Sequence, residues 1–189
     1  MKSEHTPHDE VPDIECLASE VIYQNRWLKV REDRIRRRSG ATGIYGVVEK
    51  PDFVVIVPLQ DDALYLVQQF RYPVGARFWE LPQGAWEGQP DATPESVAVG
   101  ELREETGLVA GAIRDAGHLF LAYGFCNQGY RVFLATDLAF EGDARDAEEE
   151  DLVARRFPLR DVERMICEGE IKDATTIAAL GLLRMKGWL

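Results

Sequence analysis

The sequence predicts an α+β or sandwiched α/β/α domain with a mixed β-sheet, preceded by a small antiparallel β region. Three observations lead there. Runs rich in β-branched and aromatic residues recur at short intervals through most of the chain. Helical periodicity is confined to three segments, one central and two near the end. A length of 189 residues suits one domain with a short appendage, at roughly 150 residues per domain.

Taken in order, residues 1–12 carry Pro7, Pro12 and mixed charge without periodicity and read as a flexible tail. Residues 13–50 form the small β region. Its first strand-like run extends from Glu20 to Arg37, with Trp27-Leu28-Lys29-Val30-Arg31 alternating apolar and basic. Ser39 to Gly43 is a turn, and Ile44 to Glu49 returns as a strand. The main domain, residues 51–189, starts with Phe53 to Leu59 and Ala63 to Phe70, joined by Gln60-Asp61-Asp62 in a meander. The central helix runs from Pro94, behind a Thr93 cap, to Thr106, with Gly107 as its stop. Strands follow at His118 to Tyr123 and Tyr130 to Thr136, then an acidic stretch from Glu141 to Asp151. Helices around Leu159 to Glu168 and Lys172 to Lys186 complete the chain.

Composition narrows the function. Hydrophobic residues at 46% and charged residues at 29% are a globular balance, and no apolar stretch approaches the roughly 20 residues of a membrane helix. The polar start, Met1-Lys2-Ser3-Glu4-His5, lacks the apolar middle of a signal peptide, so a cytoplasmic location is expected. Cys16, Cys126 and Cys167 stand singly, as reduced thiols do. A formal net charge of -11 argues against nucleic acid and anionic membranes as partners. An anionic ligand must then be held by local cations or by metal.

The central helix supplies the means. At about 100° per residue, Glu101, Glu104 and Glu105 share one face beside an apolar stripe of Ala98, Val99 and Leu102. Two carboxylates about 5 Å apart repel by roughly 3 kcal/mol at an effective dielectric of 20, so a cluster in a cleft calls for cations. Hard oxygen ligands favour Mg2+, with Mn2+ as a substitute. By itself Glu-x-x-Glu-Glu is also the pattern of a solvated helix face.

The context is more specific. Glu101-Leu102-Arg103-Glu104-Glu105-Thr106-Gly107-Leu108, with Gly84 upstream in Trp79-Glu80-Leu81-Pro82-Gln83-Gly84, resembles the closing half of the Nudix box, Glu-U-x-Glu-Glu-x-Gly-U, where U is a bulky aliphatic residue. Gly100 stands where the box has Arg, the loop after Gly84 is two residues longer, and Asp91 is at best the substitute for the early box Glu. The resemblance implies a Nudix-type α/β/α sandwich, with Glu101 and Glu105 as principal metal ligands, Glu104 as an additional one, and the backbone carbonyl of Gln83 as a further contact.

From about Glu20 to Leu183 the chain is most similar to the ADP-ribose and ADP-sugar pyrophosphatase branch. That likeness implies a homodimer formed through the N-terminal β region. It also implies aromatics around the adenine, here Trp27 and Tyr45; for Trp27 the alternative is a strand anchor in the core. Gln69-Phe70-Arg71-Tyr72-Pro73 resembles an element whose Arg reaches the diphosphate, which makes Arg71 the leading substrate cation. Lys50 occupies a position where the branch often has another substrate-proximal Arg. A Glu from an acidic loop serves as base in this branch, and Glu148-Glu149-Glu150-Asp151 fits it, with Glu150 first and Glu148 second. Gly124-Phe125-Cys126-Asn127-Gln128 resembles a substrate-proximal loop in which Cys126 and Gln128 depart from the usual residues.

The expected activity is therefore Mg2+-dependent hydrolysis of ADP-ribose or a related nucleotide sugar to AMP and a sugar phosphate. Two alternatives stay open. One is the same chemistry on dinucleoside polyphosphates, NADH or another nucleoside diphosphate derivative, prompted by Pro82-Gln83-Gly84. The other is a weakly catalytic ADP-ribose-binding module, prompted by Gly100 and the altered loop.

Overall fold

A strand that is apolar on both faces has to be covered twice, and β4 (Phe53–Gln60) is such a strand, with Val54 to Val57 all buried. The computed structural model, which describes residues 12–85, 91–142 and 152–189, shows how both faces are covered. Val54 and Ile56 point to one side, where they pack with Val97, Ala98 and Leu102 of α1 (Pro94–Thr106). Val55 and Val57 point to the other, against Val162 and Met165 of α2 (Leu159–Glu168) and Ala179 and Leu183 of α3 (Ala174–Met185). The result is an α/β/α sandwich. Leu102 is fully buried in the α1 layer, so Leu102→Ala is expected to lower stability by about 2–5 kcal/mol, read as a shift in the urea midpoint.

The chain divides into two compact units, Met1–Lys50 with Ala122–Gln128, and Pro51–Leu121 with Gly129–Leu189. The second contains the sandwich. Its sheet also includes β5 (Ala63–Arg71), β6 (Ala76–Glu80), β7 (Gln83–Gly84), β8 (Leu108–Phe120), β9 (Gly129–Phe140) and β10 (Val153–Pro158). The strand order is β10-β5-β4-β9-β8, with β6 paired to β5 and β7 to β4. Among the described residues of this sheet, β4 and β9 alone run parallel, so the sheet is mixed as expected. β4 turns into β5 through Asp61 and Asp62 at φ 50° and 54°, a left-handed pair that Asp tolerates and that matches the twist of a hairpin.

The helix α1 begins and ends where its signals lie. Thr93 Oγ1 accepts from the Ser96 amide at 3.2 Å, Pro94 opens the first turn, and Gly107 at φ 71° donates to the Arg103 carbonyl. A Cβ on Gly107 would lie 2.6 Å from the Phe140 ring, so both conformation and space require glycine there.

In the first unit, β1 (Ile14–Gln24), β2 (Lys29–Arg37) and β3 (Thr42–Glu49) form an antiparallel sheet. The segment Ala122–Gln128 lies along the open edge of β3: Val48 N–H donates to the Phe125 carbonyl at 2.8 Å and Asn127 N–H to the Val48 carbonyl at 3.1 Å.

Some elements differ from expectation. The run from Glu20 to Arg37 is two strands, because Asn25 Oδ1 accepts from the amides of Trp27 and Leu28, both at 2.9 Å, and breaks the run with a turn. β8 starts ten residues before His118, at Leu108; its first half is poor in β-formers and is defined by pairing with β9, and a register shift between Asp115 and Gly117 follows in its second half. β6 and β7 were not anticipated. Among the described residues, no helix is long and apolar enough to cross a membrane.

Candidate active site

Positions i and i+4 of a helix lie one above the other, and on α1 this aligns Glu101 with Glu105. Both are buried, at 6% and 1% exposure, which a carboxylate accepts only with compensating partners. They face the short strand β7, which pairing with β4 holds in place: Val54 is opposite Gly84 and Val55 opposite Gln83. The Gln83 amide donates to Glu105 Oε2 at 3.0 Å. Gly84 lies so close to Glu101 that a Cβ there would fall 2.5 Å from its Cδ. The absent side chain at Gly84 is therefore the space in which the Glu101 carboxylate sits.

Glu104 is half-buried on the same helix. Among the described residues, no three His, Cys, Asp or Glu side chains are drawn into a group that could hold an ion by themselves. The donor set is two buried carboxylates and the Gln83 backbone. This fits a hard divalent cation that takes one or two carboxylates and completes its shell with water and phosphate oxygens.

Arg71, the last residue of β5, is half-exposed and lies against Glu80 at the end of the neighbouring β6. Its Nη2 is 2.6 Å from Glu80 Oε1 and its Nε 3.3 Å from Oε2, a two-point pairing that orients the guanidinium. Burial pushes the Glu80 carboxyl up from its ordinary range, and Arg71 pulls it back in part. Glu80 also accepts from Gln83 Nε2 at 3.2 Å, which links the cation to the β7 turn.

In the first unit, Trp27 follows the Asn25 turn and is 49% exposed, with the Arg26 guanidinium 4.2 Å from its ring centroid. It does not anchor the core. Tyr45 on β3 is half-buried and donates its hydroxyl hydrogen to the Gly124 carbonyl at 2.8 Å. Lys50 is exposed, its amide donating to Asn127 Oδ1 at 3.1 Å. Cys126 and Gln128 are buried in the same loop. Glu148 and Glu150 lie outside the described residues.

Three polar residues at this site were not picked out from the sequence: Glu80, Asp173 and Thr176. Asp173 caps α3, and an Asp before Thr175-Thr176 is a helix-start signal, but nothing local shows that the cap reaches the β7 turn. Gln83 Nε2 donates to Asp173 Oδ2 at 3.3 Å, and the Leu81 amide donates to Thr176 Oγ1 at 2.9 Å.

A buried carboxylate pair on a capped helix, facing a glycine of a short strand within an α/β/α sandwich, is an arrangement that can take a divalent cation. The NUDIX domain family matches residues 50–180, and the nucleoside diphosphate sugar hydrolase N-terminal domain matches residues 14–48. The chain belongs to the Nudix hydrolase family, whose members generally use divalent metals. Among its relatives, the ADP-ribose pyrophosphatase of Mycobacterium tuberculosis (strain ATCC 25618 / H37Rv) is 34% identical over 172 residues, spanning 89% of this chain and 82% of that one. The ADP-ribose pyrophosphatase of Bacillus subtilis (strain 168) is 27% identical, over 90% and 92% of the two chains. A crystal structure of an ADP compounds hydrolase has the same fold, with a TM-score of 0.82 at 22% identity over 95% of this chain and 99% of that one.

Proposed function

We propose that the enzyme hydrolyses the diphosphate of ADP-ribose or a related nucleotide sugar, using Mg2+ or, in its place, Mn2+. The observation that carries the reading is the Glu101 and Glu105 pair closing on Gln83 and Gly84, in a chain 34% identical to an ADP-ribose pyrophosphatase. Glu101, Glu105 and the Gln83 carbonyl would hold the ion, with Glu104 as an additional ligand. When bound, a divalent cation neutralises phosphate charge and makes water a better nucleophile. Arg71, oriented by Glu80, holds the diphosphate oxygens. Glu150, or Glu148 beside it, takes a proton from the attacking water. The new P–O bond forms as the bridging P–O bond breaks, leaving AMP and a sugar phosphate. Trp27 and Tyr45 stack on the adenine and Lys50 lies near the substrate. Residues 13–50 form the homodimer contact.

The test is chromatographic detection of AMP from ADP-ribose with Mg2+, beside GDP-mannose, NADH and diadenosine polyphosphates. We expect ADP-ribose to give the highest kcat/KM. Preferential turnover of a dinucleoside polyphosphate would reassign the substrate, and tight ADP-ribose binding without turnover would make the protein a binding module.

A further inference from the structure

A backbone carbonyl has no torsion angle of its own, so a carbonyl ligand can be aimed only by fixing the peptide planes around it. The turn that carries Gln83 is fixed at three backbone points, each by a different element. The Leu81 amide donates to Thr176 Oγ1 at 2.9 Å, the Pro82 carbonyl accepts from the Ile56 amide at 2.9 Å, and the Gln83 amide donates to Glu105 at 3.0 Å. The first of these comes from α3, which is remote in sequence and contributes no residue to the metal site.

That contact is itself held. The Thr176 hydroxyl has one hydrogen, and donates it to Asp173 Oδ2 at 2.7 Å, leaving its lone pairs for the Leu81 amide. Asp173 Oδ2 also accepts from the Thr176 amide at 2.8 Å and from the Gln83 side-chain amide at 3.3 Å. One carboxylate oxygen thus caps α3, orients Thr176 and restrains the side chain of Gln83. Thr176 is fully buried, and valine would fill the same space without the hydroxyl.

We propose that Asp173 and Thr176 are positioning residues that aim the Leu81–Gln83 turn for divalent-metal binding. The inference rests on the reading of Glu101, Glu105 and Gln83 as the ion's ligands. α3 then sets metal affinity through residues that never touch the ion, as outer-shell partners do elsewhere.

The measurement is Mn2+ binding to substrate-free protein, followed by the electron paramagnetic resonance signal of free Mn2+. Wild type is compared with Thr176→Val, Thr176→Ser, Asp173→Ala and Glu105→Gln, with thermal melting in parallel. Thr176→Val and Asp173→Ala are expected to weaken Mn2+ binding by about 10- to 100-fold. Thr176→Ser, which keeps the hydroxyl, is expected to bind within about twofold of wild type. The Mg2+ concentration for half-maximal activity should move with the Mn2+ constant while KM for ADP-ribose at saturating metal stays put. Should Thr176→Val not fold, Asp173→Ala, which removes the shared acceptor oxygen at the cost of one helix cap, decides the matter. Wild-type Mn2+ affinity in Asp173→Ala and in any folded Thr176→Val, with Glu105→Gln impaired, overturns the positioning role alone. Wild-type affinity in Glu105→Gln overturns the metal-site reading, and this inference with it.

Discussion

Glu105→Gln is expected to lower kcat by about 1000-fold or more while leaving the fold intact. The substitution is isosteric and keeps an oxygen that can accept from the Gln83 amide, so the tether between α1 and β7 survives. What it removes is one negative charge from a residue 1% exposed. A metal contributes several kcal/mol of charge stabilisation in reactions of this class, and about 4 kcal/mol corresponds to roughly three decades in rate. Melting curves separate this from misfolding. Without metal the variant should still melt cooperatively and close to the wild-type temperature, because the side chain keeps its size and its acceptor for the Gln83 amide. Added Mg2+ should raise the wild-type melting temperature and leave the variant's unchanged, since only a bound ligand stabilises by mass action. Wild-type turnover in this variant would remove Glu105 from the site.

Gly84→Ala is expected to weaken metal affinity by about 10- to 100-fold and kcat/KM with it, at little cost in stability. The new methyl would overlap the Glu101 carboxylate, whose Cδ lies 2.5 Å from where the Cβ must go. The carboxylate is the far end of a flexible side chain, so it can swing aside and spare the fold. Displacement from the Gln83–Gly84 turn is nevertheless the loss that matters. Gly84 shows no left-handed φ, so the effect is one of space and not of backbone strain. Isothermal titration with Mn2+ and a urea titration, run side by side, test this: lost stability with intact metal binding would mean that the methyl displaces backbone instead of Glu101.

How much could be read in advance depended on the range of the interaction. The helix α1 was legible because Thr93, Pro94 and Gly107 act within one turn of its ends. Its acidic face was legible too, since the spacing of Glu101 and Glu105 fixes their common direction wherever the helix packs. β4 announced itself by four successive buried aliphatics. The first half of β8 did not, because Ala110, Gly111 and Ala112 have little strand preference and acquire their structure from β9. The network around Gln83 was hidden for a related reason: Leu81 and Thr176 are 95 positions apart, and no local pattern records a bond over that distance. Glu80 was in view within the Trp79 to Gly84 motif, but its pairing with Arg71 becomes visible only once β5 and β6 are in register.

The loop from Ala122 to Gln128 has a consequence for protein engineering. Because it completes the edge of β3 while its two ends run straight into β8 and β9, the accessory sheet is sewn into the hydrolase domain by three passages of the chain. A truncation that begins at Pro51 would strip the Phe125 carbonyl and the Asn127 amide of their Val48 partners and strand a short apolar-rich ribbon, Tyr123 and Phe125 included. Chimeras that exchange the accessory sheet between relatives therefore need three junctions, after Lys50, after Leu121 and after Gln128, so that this ribbon travels with everything before Pro51.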